Sequence, residues 1–162
     1  MSPRVIKNGI YWTGFIDWDR RLFDSLIPTP HGTTYNSYLI KGSEKTMLID
    51  TSDFGKENNL LAAIEMTGTK KIDYIVSNHA EQDHTGSLPK ILERYPEAKI
   101  ITNSKCKDLL ESFLLIPEEK FIVVKDNEEI SLGDKTIQFM VAPWVHWPDT
   151  MFTYLKEDKI LF

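Results

Sequence analysis

The sequence has one cysteine, Cys106, so it forms no internal disulfide, which is typical of a protein from a reducing cytoplasm. It contains no apolar run near the roughly 20 residues that a membrane helix needs, and its first residues lack the apolar core of a signal peptide. Lysine and arginine form no block, and 19 basic residues against 24 acidic ones give a formal charge of -5. We therefore expect neither nucleic acid nor a membrane as a partner.

What is present is the composition of a globular protein. The 162 residues are 41% hydrophobic, which suits a single domain with one buried core. Asn8-Gly9 between β-prone runs predicts an opening hairpin formed by residues 5–6 and 10–16. Residues 17–32 have charges and prolines without a clear period, so we expect a long irregular connection of the kind that is often functional. Residues 35–40 and 46–49 predict a second hairpin.

The middle of the chain alternates between helical and strand-like segments. A helix is predicted over residues 56–67, a strand over 72–77, a helix over 88–95 and a strand over 98–101. Asn103 and its neighbours offer N-caps for a further helix. Its apolar face is formed by Cys106, Leu109, Leu110 and Phe113.

The last third of the chain is rich in short β-prone runs. Residues 121–124, 129–132, 136–142 and 151–155 predict an antiparallel meander. The chain closes on an apolar triplet at residues 160–162, which we expect to be an exposed edge that pairs with a second copy. The element order predicts a layered α+β fold.

Four potential metal ligands fall within six residues after an apolar run: His79, Glu81, Asp83 and His84. In an extended segment His79 and Glu81 project from one face, since they are two residues apart. A strand that ends in a tight turn would bring all four to one rim, with room for two ions. The alternative is a polar loop that caps the next helix.

A further candidate ligand, His146, lies in a proline-bracketed loop between two predicted strands. If the sheet brings this loop beside the first segment, His79, Glu81 and His146 can share one ion while Asp83 and His84 hold another. Imidazole and carboxylate ligands without thiolate suit iron, manganese or zinc, and the carboxylates favour iron or manganese. Alternatively, His146 is a packed or capping residue.

The segment His-Ala-Glu-Gln-Asp-His at residues 79–84 resembles the signature of the metallo-β-lactamase superfamily. Glutamate in place of the second histidine is similar to one branch, the flavodiiron proteins. The segments at residues 18–19, 32–39, 48–51 and 146–151 also resemble that branch. The resemblance implies an αββα metallo-β-lactamase-like sandwich, of which residues 1–162 would be the N-terminal, incomplete part.

The family resemblance implies a diiron oxidoreductase that reduces dioxygen to water, nitric oxide to nitrous oxide, or both. By that resemblance His79, Glu81 and His146 would ligate one iron, and Asp83 and His84 the other. It also implies FMN on a following flavodoxin-like domain, a head-to-tail homodimer, and rubredoxin or a related carrier as electron donor. A bridging aspartate and a later histidine would follow residue 162, so we expect the 162-residue chain alone to be inactive.

Two other functions remain open at this point. One is a zinc hydrolase of the same superfamily, in which a metal-bound hydroxide attacks an ester, thioester or lactone. Glu81 argues against it, because such hydrolases usually have histidine there. The other is a domain fragment that folds or dimerises without a working site.

Four other residues have a structural interpretation, and two of them, Asp50 and Trp147, also have a functional one. Asp50 would support the metal site by orienting a ligand, or it is a plain turn residue. Trp147 would line a gas pocket, face a flavin, or belong to the core. His31 is interpreted as a loop residue outside the site. Cys106 is predicted to be inert packing.

Overall fold

The computed structural model describes residues 2–162. Its strands, in chain order, are β1 Arg4–Lys7, β2 Ile10–Trp12, β3 Phe15–Asp17, β4 Leu22–Phe23, β5 Ile27–Pro28, β6 Thr33–Tyr35, β7 Tyr38–Lys41, β8 Thr46–Ile49, β9 Tyr74–Val76, β10 Lys99–Thr102, β11 Phe121–Val123, β12 Glu129–Ser131, β13 Thr136–Val141, β14 Met151–Leu155 and β15 Ile160–Leu161. Its helices are α1 Glu57–Met66, α2 Gln82–Thr85, α3 Leu88–Arg94 and α4 Ser104–Leu114, with a 3-10 turn at Glu118–Lys120.

Two sheets organise these elements. The larger has seven strands in the order β1-β2-β7-β8-β9-β10-β11, antiparallel from β1 to β8 and parallel from β8 to β11. The smaller has four antiparallel strands in the order β12-β13-β14-β15. Helices connect the successive strands of the parallel part, because two neighbouring parallel strands need a crossover connection between them.

Two cores hold these layers together. Leu48, Ile75 and Ile100 face helical residues such as Ile64 and Leu110. The opposite face of the same sheet is buried against the smaller sheet, where Val76 and Ile101 share a cluster with Phe139 and Leu155. Among residues 2–162 the three longer helices all contribute to the first core, so the described layers are helix, sheet and sheet. This arrangement confirms the predicted α+β sandwich.

The opening hairpin and the hairpin of β7 with β8 are confirmed, and Asn103 accepts a hydrogen bond from the Cys106 amide at 3.0 Å as the N-cap of α4. The predicted strand over residues 10–16 is instead divided between two sheets. A Cβ at Gly14 would lie 2.0 Å from the Tyr35 carbonyl oxygen, so this close approach requires glycine and the chain bends there.

Three further predictions were wrong in part. Residues 121–124 do not start the meander: β11 pairs in parallel with β10 in the larger sheet, because α4 crosses back and delivers it there. The connection at residues 17–32 is not wholly irregular, since β4 and β5 form a small antiparallel pair. Phe113, predicted on the buried face of α4, is 58% exposed.

The terminal apolar triplet is part of the smaller sheet. Phe162 and Thr153 exchange two main-chain hydrogen bonds of 2.8 and 3.1 Å, and the Phe162 ring lies 4.9 Å from that of Tyr38. The predicted pairing with a second copy stays a prediction. Within residues 2–162 no helix is both long and apolar enough to cross a bilayer.

Candidate metal centre

The candidate ligands lie where the chain leaves the parallel strand β9. Asp50, directly after the neighbouring strand β8, has φ 53°, and its carboxylate accepts hydrogen bonds from the main-chain and side-chain nitrogens of Asn78 at 2.9 and 3.0 Å. Because the carboxyl ends of parallel strands meet at one edge of the sheet, Asp50 fixes the residue next to His79. The hydrogen bonds are those expected of a residue that orients a ligand segment.

Three side chains converge on one point. The carboxylate Oε2 of Glu81 lies 3.2 Å from Nε2 of His79 and 3.3 Å from Nε2 of His146. One ligand atom from each residue lies within 4.8 Å of the other two. Two imidazoles and one carboxylate around an open position form the donor set typical of non-haem iron(II). The geometry therefore fits a metal ion held by these three residues.

Asp83 and His84 lie beside this group on the helical turn α2, which precedes α3. His84 Nε2 is 3.3 Å from Asp83 Oδ2, and the His84 ring is 4.7 Å from that of His79. Burial raises the pKa of Asp83, and His84 opposes that rise.

Two buried atoms of this pair, Asp83 Oδ1 and His84 Nδ1, have no hydrogen-bond partner among residues 2–162. Buried polar atoms are usually satisfied, and a metal ion would satisfy ligand atoms of this kind. The structure thus brings all five predicted ligands together, while His31 is exposed and belongs to neither group.

The main chain of the ligand segment is held by side-chain hydroxyls. Ser77 Oγ donates to the His79 carbonyl at 3.0 Å. Thr85 Oγ1 contacts the Ala80 and Glu81 carbonyls at 3.1 and 3.0 Å. The amide and hydroxyl of Thr51 both donate to the His84 carbonyl, at 2.8 and 2.7 Å. Each of these bonds limits the movement of a ligand-bearing peptide.

Sequence reasoning missed Asp149, which is 1% exposed and accepts a hydrogen bond from the Ala80 amide at 2.8 Å. Ala80 lies between two candidate ligands, so this carboxylate contacts the site without belonging to it. The signal available in the sequence was an acidic residue three positions after His146, which is not distinctive by itself.

A cavity of about 360 Å³ opens beside Glu81. Its apolar walls come from Phe54, Phe113, Leu114 and Trp147. The Trp147 ring is 6.1 Å from that of His79, nearly edge-on, as expected if Trp147 lines a pocket at the site. The exposure of Phe113 is explained by the same cavity, because its side chain forms a wall there.

The fold is that of a metallo-β-lactamase-like domain. The model of the family described as ODP family beta lactamase matches residues 33–162, and the chain belongs to that family. Coenzyme F420H2 oxidase of Methanothermobacter marburgensis is 44% identical over 99% of this chain and 41% of its own length. Nitric oxide reductase of Moorella thermoacetica is 38% identical over 99% of this chain and 40% of its own length.

Among solved structures, rubredoxin:oxygen oxidoreductase of Desulfovibrio gigas matches with a TM-score of 0.93 at 38% identity, over 99% of this chain and 40% of that one. The resemblance to the flavodiiron proteins that was seen in the sequence is confirmed. The chain spans about 40% of the length of each of the three.

Proposed function

We propose that this chain holds the non-haem diiron centre of an oxidoreductase that reduces dioxygen to water, nitric oxide to nitrous oxide, or both. The observation that carries the proposal is the convergence of His79, Glu81 and His146 beside the Asp83–His84 pair. The names of the relatives, an oxidase, a nitric oxide reductase and an oxygen oxidoreductase, support the substrate class.

In this proposal His79, Glu81 and His146 hold one iron and Asp83 and His84 the other. Iron would supply one-electron redox chemistry and open positions for a diatomic gas. The protein residues supply the environment: the carboxylates of Glu81 and Asp83 balance cationic charge, and burial of His79 and Glu81 keeps bulk water away. The apolar cavity beside Glu81 suits small, weakly polar gases.

The proposal extends to parts of the protein beyond the site. Residues 1–162 would belong to a metallo-β-lactamase-like domain that works with a flavodoxin-like domain carrying FMN, in a homodimer supplied with electrons by rubredoxin or a related carrier. The greater length of the relatives and the name of the Desulfovibrio enzyme support this. The single cysteine favours the cytoplasm as its location. Because the flavin would lie on another domain, we expect no turnover from the 162-residue chain alone.

Anaerobic reconstitution of the 162-residue chain with ferrous iron tests the metal assignment. We expect iron to remain with the chain after desalting, measured by elemental analysis and Mössbauer spectroscopy. Glu81→Gln and His146→Ala should each lose iron, because each removes a donor from the converging group. His31→Ala is the matched control, an exposed histidine outside the site, and should retain iron.

The competing function gives a different result in the same experiment. Preferential, tight zinc binding together with thioester or lactone hydrolysis would replace the diiron proposal by the zinc hydrolase. The site would be refuted if the chain bound no transition metal. It would also be refuted if Glu81→Gln and His146→Ala bound as much iron as the wild-type chain. For the flavin-containing protein, oxygen and nitric oxide consumption with reduced rubredoxin would measure which gas is preferred.

A further inference from the structure

His146 differs from the other members of its group in having little packing of its own. Its side chain is 70% exposed, whereas those of His79 and Glu81 are 11% and 12% exposed. An exposed imidazole is free to take several rotamers and positions, unless the backbone that carries it is fixed. The position of His146 therefore depends on what anchors its loop.

The loop is internally braced. Trp144 donates its amide to the Trp147 carbonyl at 2.8 Å, and Val145 donates to the Ala142 carbonyl at 3.2 Å. The Thr150 hydroxyl donates to the Trp147 carbonyl at 2.9 Å. These bonds brace the segment from Ala142 to Thr150 internally, so an anchor at one end also constrains the position of His146.

Asp149 provides such an anchor, at a point between two other ligands. Its Oδ2 accepts the Ala80 amide at 2.8 Å, across 69 residues of sequence. Its own carbonyl accepts Nδ2 of Asn103 at 2.6 Å, and Asn103 is the N-cap residue of α4. Asp149 therefore ties the His146 loop to the His79–Glu81 peptide and to a helix of the core.

We propose that Asp149 is a positioning residue, which sets His146 at the distance from His79 and Glu81 that metal binding requires. The inference depends on the proposed metal function and adds a residue to it. Residues that orient metal ligands through hydrogen bonds affect affinity although they do not touch the metal, and their loss typically weakens binding about 10- to 100-fold.

The competing role for the same carboxylate is electrostatic, because a buried negative charge near two cations would attract them. Asp149 Oδ1 is buried and has no hydrogen-bond partner among residues 2–162. Position and charge make opposite predictions for two variants. Asp149→Asn removes the charge and keeps an oxygen that can accept the Ala80 amide, while Asp149→Glu keeps the charge and lengthens the side chain.

The experiment uses cobalt(II) as the probe, since its visible spectrum reports the ligand geometry, and measures its dissociation constant by competition with a chelator. We expect Asp149→Ala and Asp149→Glu to weaken cobalt binding about 10- to 100-fold and to change the spectrum. Asp149→Asn should stay within a few-fold of the wild-type affinity and keep the wild-type spectrum.

Asp73→Ala is the matched control. Asp73 also accepts a main-chain amide, that of Thr46 at 2.9 Å, but it precedes β9 whereas the ligands follow it. The Asp73→Ala substitution should lower thermal stability and leave cobalt affinity unchanged. The control therefore separates a general loss of stability from misplacement of a ligand.

Each result decides the proposal. Wild-type cobalt affinity in both Asp149→Ala and Asp149→Glu would overturn it. Weaker cobalt binding by Asp149→Asn than by Asp149→Glu would also overturn it, because that order indicates that Asp149 acts through its charge and not through its position. If Asp149→Ala fails to fold, the Asn and Glu variants still decide. If the wild-type chain binds no cobalt, the proposed metal function fails and the positioning role fails with it.

Discussion

The two regions that supply the candidate ligands are built in different ways. The segment from His79 to His84 lies at the end of a buried strand, and its carbonyl groups accept hydrogen bonds from Ser77, Thr85 and Thr51. The loop from Ala142 to Thr150 lies on the surface, and His146 is mostly exposed. One region is part of the core, whereas the other is attached to it.

The difference indicates which ligands the fold fixes without metal. Residues 79–84 continue a sheet that is stabilised by its own packing, so His79 and Glu81 are in place once the domain folds. The contribution of His146 depends on hydrogen bonds between loop and sheet, namely Asp149 to Ala80 and the Met151 amide to the Asn78 carbonyl at 2.8 Å. The centre thus combines a fixed part, residues 79–84, and an adjustable part, the loop at residues 142–150 that carries His146.

The largest effect that we expect is on the rate at which a reagent labels the Cys106 thiol. This residue lies beneath the fixed part, with its Sγ 3.5 Å from Ser77 Oγ. Burial raises the pKa of its thiol to about 12. Relative to a thiol with an ordinary pKa of 9.0, this leaves about a thousandfold less thiolate near pH 8. We expect slow labelling by a thiol reagent in the folded protein and rapid labelling in denaturant. Rapid labelling of the folded chain would show that this region opens readily.

Asp50→Ala should give the next largest effect, a loss of about 2–4 kcal/mol in the free energy of unfolding. The variant leaves two nitrogens of Asn78 without their acceptor, and alanine is strained at φ 53°. Asp50→Asn is the control, because asparagine tolerates that conformation and keeps one acceptor oxygen. Urea unfolding of the metal-free protein measures both. Equal stability of the Ala variant and the wild type would contradict a fixed ligand segment.

The sequence allowed the fixed part to be predicted more fully than the adjustable part. The spacing of His79, Glu81, Asp83 and His84 after an apolar run is a local property, and the structure brings these residues together. Asp83 and His84 were expected in a turn, and a helical turn presents them. The proximity of His146 could be stated from the residues only as a condition, which the family resemblance then supported, because nothing local relates a loop after β13 to one after β9.

Long-range features account for the errors. A β-prone run such as residues 121–124 looks the same in either sheet, and its sheet is decided by the crossover of α4. Asp149 has no periodic signal, since its importance depends on which amide lies 2.8 Å away in the fold. The exposed Phe113 fits a helical face, yet it borders a cavity formed with residues far away in the sequence.

Thr51→Val isolates one bond of the fixed part. It removes the hydroxyl that donates to the His84 carbonyl at 2.7 Å and leaves the main-chain donor of the same residue in place. We expect a loss of about 1 kcal/mol in unfolding free energy. Thr34→Val, at an exposed position of β6, should be nearly neutral. If the two variants are equally stable, the Thr51 hydroxyl does not stabilise the helical turn α2 that carries Asp83 and His84.

The smallest effect should come from the adjustable part. In the metal-free protein His146→Ala should change the unfolding free energy by no more than about 0.5 kcal/mol, because a surface side chain that is 70% exposed has little packing to lose. His79→Ala, at a residue that is 8% exposed, should cost more under the same conditions. Chelator-treated protein unfolded in urea provides the measurement. A loss for His146→Ala as large as that for His79→Ala would mean that the loop is part of the core's stability, and the division of the centre into a fixed and an adjustable part would then be wrong.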